Sequence, residues 1–210
     1  MRKFVIITDT SCDLSATYRN KYDIRLISVP YFVDGVEHAS DLDWKGVSAK
    51  DFYNSLRDGK KMRTNLINAT KFKAEFKALL DEGYDVLAIL CSSNVSSGVK
   101  ESYVARDELK AEYPDAKIIC IDALRTCHAL GILLLAAGAL REQGKSIEEV
   151  LLNSELYTNL VGAVSAVPTT FFVGQDGAVM GYLTGAQSKE NWKGLIDELL
   201  AEIEQQGEQQ

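Results

Sequence analysis

The chain has 210 residues, 46% hydrophobic and 25% charged, which is ordinary globular composition and enough for one large domain or a domain with an appendage. A net charge of -7 argues against nonspecific binding to nucleic acid or an anionic membrane, which needs clustered Lys and Arg. The longest apolar run, Ala129–Leu140, is too short to cross a bilayer and carries two glycines, so a core helix is expected there and membrane insertion is not.

Met1–Lys3 runs straight into an apolar stretch, Phe4–Ile7, with no cleavage region, so a cytoplasmic chain without a secretory signal is expected. Phe4–Ile7 predicts a strand covered on both faces. A short helix is expected over Leu14–Lys21, and Ile24–Phe32 reads as extended, with an edge or bend at Pro30. Asp34-Gly35 marks a turn. Ser48-x-x-Asp51 resembles a capping box for a helix ending at Asp58-Gly59. Arg63–Asn68 reads as a polar loop. The next helix places Phe72, Phe76, Leu79 and Leu80 on one face.

Val86–Leu90 is a second buried strand, followed by the serine-rich loop Cys91–Gly98 and a helix reaching about Tyr113. Ile118–Ile121 is a third apolar strand, and Cys127–Gln143 a long helix. Ser146-x-x-Glu149 is a full capping box for the next helix. This alternation predicts an α/β fold: a mainly parallel sheet with helices on both faces. The character changes after about residue 150. Thr170–Val173 and Val179–Leu183 flank Gln175-Asp176-Gly177, a hairpin pattern. Ser188 then caps a helix through Glu204 whose core face takes Trp192, Leu195, Ile196, Leu199 and Ile203. The expected division is therefore 1–150 and 151–210.

Binding sites in parallel sheets lie at the carboxyl ends of the strands. Three polar clusters fall there: Thr8–Asp13, Cys91–Gly98 and Asp122–Thr126. In Cys91–Gly98, hydroxyls meet the amides and positive dipole end of a helix N-terminus, which suits a small anion. Serines also cap helices and fill turns, and the residues alone do not separate the two roles. Asp9 and Asp122 could serve an enzyme, but neither has an obvious histidine partner, and carboxylates at strand ends often cap neighbouring amides. The four cysteines, Cys12, Cys91, Cys120 and Cys127, form no C-x-x-C pair and read as reduced thiols. Cys127-His128 does not make a metal site, because adjacent residues do not share a helix face, and no metal is expected.

Several motifs in order resemble the DegV family of bacterial fatty-acid-binding proteins over residues 1–150. Ile7-Thr8-Asp9-Thr10-Ser11-Cys12-Asp13-Leu14 is similar to its opening motif. Val29-Pro30 and Asp41 match its next landmarks. Arg63-Thr64-Asn65 stands where the family has a T-S pair, and Ser92–Gly98 where it has S-S-x-L-S-G-T. Ile121-Asp122-Ala123, followed by Leu130-Gly131, resembles its I-D-S…G-L-G segment. The resemblance implies a non-catalytic carrier that holds a fatty-acid carboxylate on Thr64 and Ser96 and presents it to a separate fatty-acid kinase. Ser93, Asn65, Ser97 and Gly98 join the expected ligand-binding set, with Arg63, Lys100 and Arg125 as candidate charge partners. No cofactor is implied beyond the bound lipid. The departures are Asn65, Ser97, Gly98 and Ala123, each standing where the family motif has another residue. A second domain of ordinary size does not fit in the roughly sixty residues that follow.

Ser165–Val173, with Asp176-Gly177 and Gly181…Gly185-Ala186, is similar to the back half of a thioredoxin-like fold. That resemblance implies a cis Val167–Pro168 bond, with Pro168 at the family's cis-proline position. The C-x-x-C half is absent, so a dithiol cycle lacks its reactive pair. The alternatives to a lipid carrier are therefore a remnant of a thiol-disulfide oxidoreductase and a hybrid domain without activity.

Overall fold

A computed structural model describes residues 2–153, 169–173 and 179–207. The chain separates into two units, Met1–Ser165 and Ala166–Gln210.

In the first unit, four strands form a parallel sheet: β1 (Phe4–Asp9), β2 (Ile24–Ile27), β6 (Asp85–Leu90) and β7 (Ile118–Asp122), in the order β2-β1-β6-β7. Every residue of β1 and β6 is buried, as expected of strands covered on both sides. Their side chains alternate between two cores. Val5, Ile7, Val86, Ala88 and Leu90 pack with Phe72, Phe76 and Leu80 of α3 (Ala69–Asp81) and Val99 and Leu109 of α4 (Gly98–Leu109). Phe4, Ile6, Leu87 and Ile89 pack with Leu130, Leu133 and Leu134 of α5 (Cys127–Glu142) and with Ile147 and Val150 of α6, described over 147–153. The α/β class with helices on both faces is therefore observed, and the period of two along each strand sends alternate residues to opposite layers.

The local stops and starts follow the side chains. Asn68 caps α3, its side chain accepting from the Lys71 amide at 2.9 Å. Ser146 and Glu149 close a reciprocal capping box on α6: the Glu149 amide donates to Ser146 Oγ, and the Ser146 amide to Glu149 Oε2. Between β1 and α1 (Ala16–Lys21), a single 3-10 turn, Thr10–Cys12, packs on α5. The approach is close because residue 131 is glycine: a Cβ there would lie 2.9 Å from the Cys12 carbonyl oxygen.

Two sequence expectations change here. The extended stretch Ile24–Phe32 is not one strand: β2 ends at Ile27, and β3 (Pro30–Val33) belongs to another sheet. Proline cannot donate within a ladder, and it stands at the first residue of the new strand. Arg63–Asn68 is not wholly loop, because β5 (Met62–Thr64) pairs with β3. With β4 (Val36–Ala39) these strands form an antiparallel sheet in the order β4-β3-β5, its β3–β4 hairpin turning on Asp34-Gly35. The helix α2 (Ala49–Arg57), capped by Ser48, precedes β5 and has no buried residue.

In the second unit, β8 (Thr169–Val173) and β9 (Val179–Thr184) form an antiparallel pair, followed by α7 (Lys189–Gly207). Trp192 and Leu195 are half-buried, whereas Ile196, expected on the core face, is 48% exposed. The turn Gln175-Asp176-Gly177, Pro168 and the side chains of Leu199 and Ile203 lie outside the described residues.

Candidate functional site

The order β2-β1-β6-β7 contains a switch point. From β1 the chain moves to one neighbour, β2, and later returns to the other side as β6. The connections leave β1 and β6 in opposite directions, which opens a crevice beyond their carboxyl ends. A cavity of about 410 Å³ occupies that place. Asp9 and Ser11 reach it from the end of β1, Cys91 from the end of β6, and Thr126 from beyond β7.

The crevice is held by one carboxylate. Asp9 is 5% exposed, and its Oδ1 accepts from the Ser11 amide at 2.8 Å while Oδ2 accepts from the Cys91 amide at 3.1 Å. It ties the two strand ends together. Asp122 does comparable work at β7, where its Oδ1 accepts from the Ser93 amide at 3.1 Å and the Leu124 amide at 3.0 Å. Both acids thus serve backbone amides. Asp13, Leu124 and Cys127 have positive φ; the first two stand in the connections leaving this edge and Cys127 opens α5.

The serine loop turns on Ser92. The Val95 and Ser96 amides both donate to its carbonyl at 2.9 Å, and the Asn94 amide donates to its hydroxyl at 3.2 Å. The loop delivers the first turn of α4 to the cavity, with Val95, Ser96, Ser97, Gly98 and Val99 on its wall. Ser96 Oγ accepts from the Gly98 amide at 3.2 Å, while Ser97 at the N-cap makes no side-chain cap bond. Because the Ser96 oxygen already accepts from the backbone, its own proton is available to a ligand.

The opposite wall comes from the antiparallel sheet. Thr64 is the last residue of β5, paired across from Tyr31, and the Asn65 amide donates to the Pro30 carbonyl at 3.0 Å. These bonds fix Thr64 and Asn65 at the cavity, above a floor of Ile67 and Phe72. Five of the six expected ligand residues, Thr64, Asn65, Ser96, Ser97 and Gly98, therefore line one cavity, although Thr64 and Ser96 are far apart in sequence. Ser93 does not line it.

The candidate charge partners do not line the cavity either. The Arg63 guanidinium sits over the Phe32 ring at 4.7 Å, Lys100 is exposed, and Arg125 is buried with Nη1 donating to the Leu124 carbonyl at 3.2 Å. Among the lining residues, positive potential comes from the start of α4. Asp9, Ser11, Cys91 and Thr126 were not singled out as ligand residues. Their place at strand ends was the available signal. Burial pushes the Cys91 thiol above its usual value. Among the described residues there is no group of three or more His, Cys, Asp and Glu placed to hold a metal ion, and no helix is long and apolar enough to cross a membrane.

A family model described as an uncharacterised protein of the DegV family matches residues 3–165. A DegV domain-containing protein of Clostridium perfringens is 33% identical over 150 residues, 71% of this chain and 51% of its own length. The chain spans about half the length of the curated relatives it matches. Among solved structures, a Thermotoga maritima protein described as revealing fatty acid binding function is 26% identical with a TM-score of 0.63, over 74% of this chain and 55% of that one. DegV of Bacillus subtilis, described as a fatty acid binding protein, is 16% identical with a TM-score of 0.70, over 99% of this chain and 80% of that one. At the second identity the likeness shows the fold.

Proposed function

This chain belongs to the DegV family, and we propose that it binds a fatty acid by its carboxylate in the switch-point cavity, as a carrier that performs no chemistry of its own. The observation that carries this reading is the convergence of Thr64 and Asn65 with Ser96, Ser97 and Gly98 on one cavity at the N-terminus of α4. Carboxylate oxygens accept hydrogen bonds, and the hydroxyls of Thr64 and Ser96 are donors on facing walls. The α4 dipole favours the charge, and Val29, Leu66, Ile67 and Val95 give the start of a hydrocarbon chain an apolar surface.

Other features favour a carrier over a catalyst. Asp9 and Asp122 are engaged with amides, His38 stacks on Tyr31 with ring centroids 5.1 Å apart, and His128 is exposed. A thiol-disulfide activity is disfavoured because burial raises all four thiols, Cys12 and Cys120 to about 11, where reactive cysteines are lowered. Transfer to a separate kinase, a cytoplasmic location, and a thioredoxin-like origin for β8, β9 and α7 belong to the same proposal.

The test is denaturing extraction of the purified chain followed by mass spectrometry, with calorimetric titration of oleate into delipidated protein. Recovery of fatty acid, or saturable binding of one equivalent, is expected. No recovered lipid together with no oleate binding overturns the reading.

A further inference from the structure

Between β2 and α3 the chain inserts β3, β4, α2 and β5, and this insertion has no closed core of its own. From Ser28 to Leu66 no residue is buried, whereas Ile27 and Ile67, immediately outside it, are 0% and 5% exposed. Val29 and Leu42 rest on the two cores as half-buried side chains. The base of the insertion is closed on itself: Tyr31 of β3 pairs with Thr64 of β5, and the Asn65 amide donates to the Pro30 carbonyl at 3.0 Å. The chain therefore enters at Ser28-Val29 and leaves at Leu66 side by side, which makes one hinge.

Thr10, just after β1, and Arg19 of α1 fasten the insertion to the parallel layer. Thr10 Oγ1 accepts from the Val29 amide at 3.1 Å and shares a hydrogen bond with Ser40. Arg19, 8% exposed, donates from Nη1 to the Leu14 carbonyl and from Nη2 to both Asp43 oxygens at 2.7 Å.

We propose that the insertion is a lid. It turns on the hinge at Ser28-Val29 and Leu66, the Arg19–Asp43 and Thr10–Ser40 contacts latch it shut, and its opening carries Thr64 away from Ser96 so that fatty acid enters and leaves. The inference rests on the carboxylate reading above and adds how the site is loaded.

The cost of opening is small in apolar terms, because no buried side chain has to leave either core, and opening segments are drawn from such weakly buried parts of a fold. The cavity wall divides at the same boundary. Val29, Thr64, Asn65 and Leu66 belong to the insertion, while Asp9, Ser11, Ser96 and Gly98 stay with the parallel sheet. A swing of the lid thus parts the two hydroxyls and leaves each wall intact. The latch lies off the cavity: Arg19, Ser40 and Asp43 do not line it, so their bonds govern closure without touching the ligand.

The test follows uptake and release of cis-parinaric acid, a fluorescent fatty acid, by stopped flow, with excess oleate as the chase. Asp43→Asn removes the charge that Arg19 grips. Uptake and release are both expected to quicken about tenfold to hundredfold, with the dissociation constant little changed, because a looser latch raises the open fraction of empty and loaded chains alike. Thr10→Cys/Ser40→Cys is the opposite variant. The two side-chain oxygens already meet there, so a disulfide closes the lid covalently. In protein loaded first and oxidised afterwards, release should stall and recover with a thiol reductant. The parent chain, with its four native cysteines, should be unaffected by the same treatment. Unaltered rates in both variants, or release that quickens alone in Asp43→Asn, overturn the lid and leave the carboxylate site standing. A cysteine pair that does not cross-link contradicts the closed latch and also overturns the proposal. Failure of the parent to bind either acid overturns both readings.

Discussion

Asp9→Asn is a sharp test of how the crevice is held open. The substitution keeps the size of the side chain but replaces one oxygen with an NH2 group. Asp9 accepts from two amides, Ser11 at 2.8 Å and Cys91 at 3.1 Å, so two acceptors are needed. Asparagine offers one. Whichever way the amide turns, one backbone N–H loses its acceptor and faces a donor, and the other loses the charge on its partner. An unsatisfied buried donor costs about 1–3 kcal/mol, and weakening the second bond raises the total to roughly 2–4 kcal/mol. For a chain of this length that corresponds to a melting temperature roughly 5–15 °C lower. Thermal unfolding followed by circular dichroism measures the loss, and amide hydrogen exchange locates it at Ser11 and Cys91. A variant within 0.5 kcal/mol of the parent, with both amides as protected as before, would refute the reasoning.

Replacing Ser96 by Ala, or Thr64 by Val, removes a hydroxyl from a charged ligand oxygen and should weaken fatty-acid binding roughly tenfold to hundredfold by calorimetry. The Asp41 carboxyl, held by the Asp43 and Lys45 amides, and the Asp43 carboxyl, held by Arg19, both titrate below the ordinary 3.8. Their contribution to the 41–45 loop is therefore complete above that pH and is lost as pH falls through the lower folded values. Trp44 fluorescence should change in acid and not between pH 5 and 8, and Asp41→Asn/Asp43→Asn should show the acid-like signal at neutral pH. Cys12, fully buried and raised to about 11 chiefly by that burial, should react with a thiol reagent at pH 8 only after unfolding; fast labelling of Cys12 in the native chain contradicts its burial.

The centre of the parallel sheet is legible because its two middle strands carry uninterrupted apolar runs: Val86–Leu90 and Phe4–Ile7 have no polar position to make their type ambiguous. Helix starts are legible where a side chain supplies the missing acceptor, as at Ser48 and Ser146. β5 was not, because it has three residues and two of them, Arg63 and Thr64, are exposed, so no alternation betrays it. The same small sheet hid the break in Ile24–Phe32. Only Ser28 and Val29 separate β2 from β3 while the hydrogen-bonding partner changes, and partner choice is a long-range property that local pattern does not encode. Of the site, the serine loop and its position at a strand end were visible directly. The pairing of Thr64 with Ser96 follows only from the order of motifs, since nothing in the local pattern marks the strand that carries Thr64.

Thr64 stands on the small antiparallel sheet, and Ser96 on the loop that leaves β6 of the central parallel sheet. A molecule gripping both is a clamp between layers of the fold. Its binding energy becomes conformational stability for the smaller sheet, about 2.7 kcal/mol at a free ligand concentration one hundred times the dissociation constant. Loading and unloading then alter the rigidity of β3, β4 and β5 as a unit. Amide exchange in β3, β4 and β5, measured with and without oleate, should therefore slow when ligand is bound.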